Sequence, residues 1–422
     1  MAIDNKAFNL NDYATKKDMI RALITSTFAF TFCFSIWTIF SIIGIKIKYE
    51  LNLTDTEFGF LIATPVLTGA LSRLSLGILA DQYGGRIVFT ILMIIASICT
   101  WFLAFANTYT QCIMIALGIG LSGGSFAVGV SYVSKWYSKD RQGTALGIFG
   151  IGNLGAAITN FATPFLLYMG WQNVVKLYSY ILFFVAIIFF FFSKTDPHML
   201  HRRRFKLKFE STSKQLEPLK NIQVWRFSLY YFFVFGSFVA LSLWLPRYYV
   251  GVYGLDIKMA GMLTALFSLP ASLFRMIGGI LSDKIGARKI LYITFIFSGI
   301  CLFILSYPST NYIVQGVSHD ISFGLRITLI PFVLLTIILG FFISLGMAAV
   351  YKHIPIYYPS NVGAVGGMVG LIGGLGGFFF PIIFGILNDV IGVWTSCFMF
   401  LFCLSIIALI TMHLAIIGSN KK

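Results

Sequence analysis

The chain has 422 residues, 58% of them hydrophobic and only 11% charged. Soluble domains carry about 25% charged residues, so a water-soluble globular body is excluded. The net charge of +16, from 31 Lys and Arg against 15 Asp and Glu, is the balance of a nucleic-acid binder, but these charges sit mainly between apolar runs, where membrane topology explains them better.

In chain order, residues 1–20 are polar and lack the short apolar core and small-residue cleavage site of a signal peptide. A run of about 20 apolar residues suffices to cross a bilayer. Hydropathy predicts twelve such helices, over 22–46, 57–80, 87–107, 110–134, 142–168, 173–193, 226–250, 258–282, 289–307, 326–351, 361–387 and 392–417. Their connections are short except for a polar insert, Ser193 to Val224, which holds His201, Arg202, Arg203, Arg204, Lys206 and Lys208. The expected domains are an N-terminal six-helix bundle (1–193), a basic cytoplasmic linker (194–224) and a C-terminal six-helix bundle (225–422). Lys and Arg collect on the side that carries both termini and the insert, which places that side in the cytoplasm and the chain in a cell inner membrane. The insert itself reads as a topological anchor. Cys33, Cys99, Cys112, Cys301, Cys397 and Cys403 all fall inside apolar runs without a CxxC pair, and read as small packing residues.

The two halves repeat. Arg73 through Arg86 and Arg275 through Arg288 share the pattern R-x-x-x-G-I-L-[AS]-D-x-x-G-x-R at a constant offset of 202. The core of that pattern resembles the loop motif of the major facilitator superfamily. The resemblance implies two pseudo-symmetric bundles of six transmembrane helices, an all-α membrane protein. It also implies that such an Asp, Asp81 or Asp283, caps a neighbouring helix and pairs with a nearby Arg in one of two access states; Asp81, Arg86, Asp283 and Arg288 are read as gating residues at the cytoplasmic face. A second echo joins helices 5 and 11: Gly150, Gly152 and Gly155 answer Gly373, Gly374 and Gly376. Glycine weakens a helix but lets helix backbones approach closely in a membrane, which suits helices that slide as access alternates.

Two arginines, Arg73 and Arg275, lie well inside predicted spans, with no Asp, Glu or His at comparable depth. An intramembrane charge is a functional candidate. Either arginine alone fits a side chain snorkelling to the interface; their repetition favours convergence on the axis between bundles. Guanidinium groups without carboxylate partners call for an anion, and a planar oxyanion fits their fork.

At this level of detail the chain resembles the nitrate/nitrite porter family. The likeness rests on Gly147-Ile148-Phe149-Gly150-Ile151-Gly152-Asn153-Leu154-Gly155 and on Gly366 through Pro381, with support from Thr64 to Arg73, Gly123 to Ala127 and Tyr231 to Phe238. It implies that Arg73 and Arg275 grip the anion, that Asn153 and Tyr231 add hydrogen bonds, and that Phe126 and Phe235 wall the site. Phe149 stands where a small residue is expected. The expected function is secondary transport of nitrate and nitrite by alternating access, as nitrate/nitrite exchange, with proton-coupled nitrate uptake as the alternative. A facilitator for another small anion, such as an organic carboxylate, shares the arginines but needs a larger cavity; a membrane sensor would be expected to add a signalling domain. No enzyme motif, cofactor site, metal site or nucleic-acid partner is indicated; the expected partners are the anion and the bilayer, and the expected state is a monomer.

Overall fold

Sequence-encoded stops and starts define the helices. The computed structural model describes residues 13–205, 217–358 and 362–420; Lys206 and Lys208 of the insert lie outside the described residues. Span 1 (Lys16–Leu51) starts at Thr15, whose side chain accepts from the Asp18 amide, and stops at Asn52 in the left-handed conformation. Span 2 (Asp55–Tyr83) opens with a capping box between Thr54 and Glu57. Spans 3, 4, 5 and 6 are Gly85–Leu103, Tyr109–Ser134, Thr144–Met169 and Trp171–Phe192. A short helix, Pro197–Phe205, follows. Span 7 is Ile222–Tyr253. Span 8 runs Ile257–Leu273, kinks after Pro270, resumes as Arg275–Leu281 and continues through a π-helical turn, Ser282–Gly286. Span 9 is Ala287–Leu305, span 10 Leu329–Tyr357, span 11 Val362–Ile391 and span 12 Ser396–Asn420. Among the described residues, 11 helical segments are long and apolar enough to cross a membrane, and one of them, Ile257–Leu305, holds both span 8 and span 9. The architecture is the expected all-α one, twelve crossings in two bundles.

The repeat is visible in the backbone. Gly84 and Gly286 occupy matching places, with φ of 95° and 93°. L-residues rarely adopt this conformation, so glycine allows span 2 to pass into span 3, and span 8 into span 9, through a one-residue corner. Beside each corner an acid meets a lysine of the bundle's fourth helix. Asp81 pairs with Lys135 at 2.7 Å and accepts from the Ser131 hydroxyl, and Asp283 pairs with Lys352. In this arrangement the partner of each acid is a lysine and not an arginine. Arg86 instead donates to the Phe190 carbonyl at 2.6 and 3.0 Å and lies over the Phe190 ring, because the last carbonyls of span 6 lack helical partners. Arg288 donates to the Tyr357 hydroxyl at 2.7 Å.

Two further differences concern the ends. Residues 308–325, expected as a plain connection, contain an antiparallel hairpin of β1 (Thr310–Gln315) and β2 (Asp320–Leu325), with Tyr312 stacked on Phe323. Arg247, near the end of span 7, is a further arginine held away from water, its side chain only 13% exposed. It is paired, unlike Arg73 and Arg275. The Asp55 carboxylate accepts from Arg247 Nε at 3.1 Å, lies 3.0 Å from Lys48 Nζ and accepts from Asn388. Asp389 accepts from the Thr56 amide at 2.7 Å and the Asp55 amide at 3.2 Å, capping span 2 from span 11. Gly59 and Gly385 make this approach possible: a Cβ on Gly59 would lie 2.5 Å from the Pro381 carbonyl oxygen, and one on Gly385 2.8 Å from Thr56 Cα. Span 1, 2, 7 and 11 are thus tied at the end of the molecule opposite the termini.

Breaking a buried pair by removing one partner is strongly destabilising, because a charge is left uncompensated. A double-mutant cycle of Asp55→Asn and Arg247→Gln, read by unfolding in mixed micelles, is expected to give a coupling energy of roughly 1–3 kcal/mol. Additive effects would show that the pair does not hold the two halves together.

Candidate functional site

Arg73 lies two-thirds of the way along span 2 and is 4% exposed. Its Nη1 donates to the Gly370 carbonyl of span 11 at 2.6 Å, and its Nε to the Gly123 carbonyl of span 4 at 3.5 Å. One side chain therefore links the two bundles through main-chain oxygens. Its guanidinium carbon sits over three rings, 5.2 Å from the Phe235 centroid, 5.7 Å from Phe126 and 5.8 Å from Trp37. Such faces carry negative quadrupole charge and attract a desolvated cation.

Arg275 opens the second piece of span 8, directly after the kink, and is 8% exposed. Its Nη2 donates to the Tyr231 hydroxyl at 3.2 Å. Its guanidinium carbon is 5.8 Å from the Phe126 ring and 5.6 Å from the Tyr351 ring. Phe126 is therefore shared by both arginines. The rings brace one another. Tyr231 and Phe235, four residues apart on span 7, stack at 5.1 Å and 5°. Tyr351 stands edge-on to Tyr231 at 4.9 Å and donates to the Gly366 carbonyl at 3.0 Å.

The signature glycines are the floor of this arrangement. A Cβ on Gly370 would come 2.9 Å from the Tyr351 hydroxyl, and one on Gly374 would come 2.8 Å from Ala70 Cβ and 3.5 Å from Arg73 Nη1. Gly373 and Gly152 give the same room to the Tyr231 and Phe30 rings, where added Cβ atoms would lie 2.9 Å from Tyr231 Cε1 and Phe30 Cγ. Gly155 lies against span 1 and its carbonyl accepts from Ser35 at 3.0 Å, while Gly376 meets Gly236, where an added Cβ would lie 3.0 Å from Gly236 Cα. Gly150 faces Arg275: a Cβ there would lie 3.8 Å from its Nε and Nη1. Phe149, unexpected at its position, is fully buried, stacks on Phe30 at 4.8 Å and fills a notch left by Gly129. The missing bulk is on span 4 rather than span 5.

Asn153 is the third residue of the 3₁₀ turn Ile151–Leu154, three residues beyond Gly150. Side chains three apart eclipse in a 3₁₀ turn, which puts Asn153 on the face of span 5 that Gly150 turns toward Arg275. Asn153 is 1% exposed, and among the described residues neither its Nδ2 nor Arg275 Nη1 has a hydrogen-bond partner. Buried donors normally find acceptors. Among the described residues, none of the hydrogen bonds made by Arg73 or Arg275 goes to a carboxylate. What the geometry offers is donors on a cationic, aromatic-walled patch between two bundles, which is chemistry for a small anion with oxygen acceptors.

Arg73, Arg275, Tyr231, Phe126 and Phe235 are thus brought into contact, with Asn153 on a face turned toward them. Asp81, Arg86, Asp283 and Arg288 lie apart, at the end that carries the termini. Tyr351, Trp37 and the carbonyls of Gly123, Gly366 and Gly370 join the site without having been singled out. Tyr351 and Trp37 belong to no repeated element, and a carbonyl acceptor leaves no trace in side-chain identity. Trp37 is positioned by its N–H, which donates to the Pro65 carbonyl at 2.8 Å.

The model of the Major Facilitator Superfamily matches residues 25–314 and 253–421. A probable nitrate/nitrite antiporter, NarK1, of Thermus thermophilus is 41% identical over 95% of this chain and 93% of its own length. A probable nitrate transporter, NarT, of Staphylococcus epidermidis is 30% identical over 96% and 98%, and a nitrite extrusion protein of Bacillus subtilis 31% identical over 87% of each. Among solved structures, a bacterial homologue of the human lysosomal transporter Spinster, in an inward-facing and occupied conformation, superposes with a TM-score of 0.70 at 16% identity, over 95% of this chain and 97% of that one. The chain belongs to the major facilitator superfamily and, within it, to the nitrate/nitrite porter family.

Proposed function

We propose that this transporter moves nitrate and nitrite across the membrane by alternating access, in exchange for one another. The observation that carries this reading is the pair of buried guanidinium groups on one phenyl ring, neither bonded to a carboxylate. Arg73 and Arg275 bind the anion's oxygens, Asn153 and Tyr231 supply further hydrogen bonds, and Phe126 and Phe235 wall the site. The names of the relatives support the substrate. The end with the termini faces the cytoplasm of a cell inner membrane, and the chain works as a monomer. The tie around Asp55 then closes the external mouth, and the Asp81–Lys135 and Asp283–Lys352 pairs belong to the opposite, cytoplasmic gate.

Exchange follows from electrostatics. Like charges repel strongly where the effective dielectric is low. An anion between the two arginines relieves that repulsion, so the loaded carrier reorients across a lower barrier than the unloaded one. Among the described residues, no carboxylate is bonded to either arginine to relay a proton with the anion.

Replacing either arginine by lysine keeps the charge but loses the planar fork. Arg73→Lys and Arg275→Lys are each expected to weaken nitrate binding by about tenfold to a hundredfold, the worth of a charge-assisted hydrogen bond. Isothermal titration in detergent measures this, and near-normal affinity in either variant would remove that residue from the site.

Gly373→Ala forces the Tyr231 ring off its position and with it the hydroxyl that meets Arg275. Transport is expected to fall at least about tenfold while the protein still folds, since overpacking costs about 1–3 kcal/mol. Wild-type uptake in this variant would show that Tyr231 need not be held there.

Proteoliposomes test the coupling mode. Internal nitrite is expected to stimulate labelled nitrate entry strongly, with little response to a pH gradient. Equal entry into nitrite-free vesicles, rising with an inward proton gradient, would establish symport instead.

A further inference from the structure

A basic cavity lies apart from the paired arginines. It has a volume of about 360 Å³ and is bordered by the terminus-side ends of spans 7, 9, 10 and 12. Arg226 and Arg288 line it together with His353, Tyr230, Tyr357 and Tyr358. No Asp or Glu lines it, and among the described residues neither arginine is in a salt bridge. Arg226 donates to Gln223 at 3.5 Å and Arg288 to Tyr357 at 2.7 Å, both neutral acceptors. The nearby Asp283 is engaged by Lys352.

The opposite wall is apolar. Leu291 of span 9 and Met412, Ala415 and Ile416 of span 12 form it. It adjoins the outer face of the bundle, where Leu414 is 61% and Ile417 41% exposed on a span whose apolar stretch is buried over only 22% of its residues. Polar aromatics mark the depth. Tyr292 and His413 share a hydrogen bond of 2.9 Å across spans 9 and 12, and the exposed Trp225 indole donates to the Leu219 carbonyl at 3.0 Å. Such residues collect where headgroups meet hydrocarbon.

We propose that this cavity binds the phosphate headgroup of an anionic phospholipid, with its acyl chains lying along the outer faces of spans 9 and 12. Two guanidinium groups meet the phosphate oxygens, and the adjoining apolar wall receives the first methylenes. A free phosphate would use the same donors but leave that wall in water. Basic pockets between helices at the cytoplasmic surface suit such headgroups. The proposed orientation decides only which leaflet supplies the lipid; binding itself is independent of that reading and of the transported anion.

The test is native mass spectrometry of the full chain in detergent, titrated with phosphatidylglycerol, phosphatidylcholine or inorganic phosphate. Phosphatidylglycerol is expected to bind at least about tenfold more tightly than phosphatidylcholine, a preference lost in Arg226→Gln/Arg288→Gln. Ala415→Asp, which sets a carboxylate into the cavity, should lose it too, and provides the comparison if the double variant does not fold. Millimolar phosphate or nitrate should leave the bound lipid in place. Equal binding of the two lipids, retention of phosphatidylglycerol by the folded variants, or its displacement by phosphate would each overturn the assignment.

Discussion

A guanidinium group taken out of water loses several kcal/mol of hydration, and it stays charged because its proton is held too firmly to be given up. This protein buries two of them without a carboxylate in either hydrogen-bond set. Much else in the bundle interface answers that one cost. Main-chain oxygens of Gly123 and Gly370 and the Tyr231 hydroxyl supply partial negative charge, and four aromatic faces supply quadrupoles. Partial charges attract a cation without neutralising it. The residual positive potential is what remains for a ligand.

Supplying those partial charges needs backbone and rings within a few ångströms of the arginines, and the glycines make this possible. Span 11 approaches span 2 through Gly374 and span 7 through Gly373 and Gly376. Spans 2 and 11 therefore meet backbone to backbone, joined midway by the bond from Arg73 to the Gly370 carbonyl. Polar ties at their ends, such as the one around Asp55, hold them as well. Packing that is close yet smooth, with removable ties, is what two alternative arrangements of the same helices require.

The arginine pair was legible in the sequence because repetition at one offset and the lack of acid at equal depth are both linear properties. The glycine-rich segments were legible for the same reason. Pairings across the bundle interface were not. Asp55 and Arg247 stand 192 residues apart, and neither sits in the repeat. Lys135 and Lys352 escaped notice because they lie outside the loop motif, on another helix of the same bundle as the acid each one meets. Tyr351 is one of 20 tyrosines and became distinct only when span 10 packed beside span 7. The β1–β2 hairpin hides in a weak alternation that reads as loop.

The one-residue corners at Gly84 and Gly286 have a mechanical consequence. A flexible loop would absorb a tilt of span 2; a single fixed residue passes it on to span 3. Span 3 turns Ile87, Ile91, Ile95 and Ile98 outward, each between 41 and 51% exposed, toward the hydrocarbon. Arg73 therefore rides on a lever whose other arm is immersed in lipid. The lateral pressure and thickness of the surrounding bilayer load that arm directly, so the poise between access states is a property of protein and membrane together.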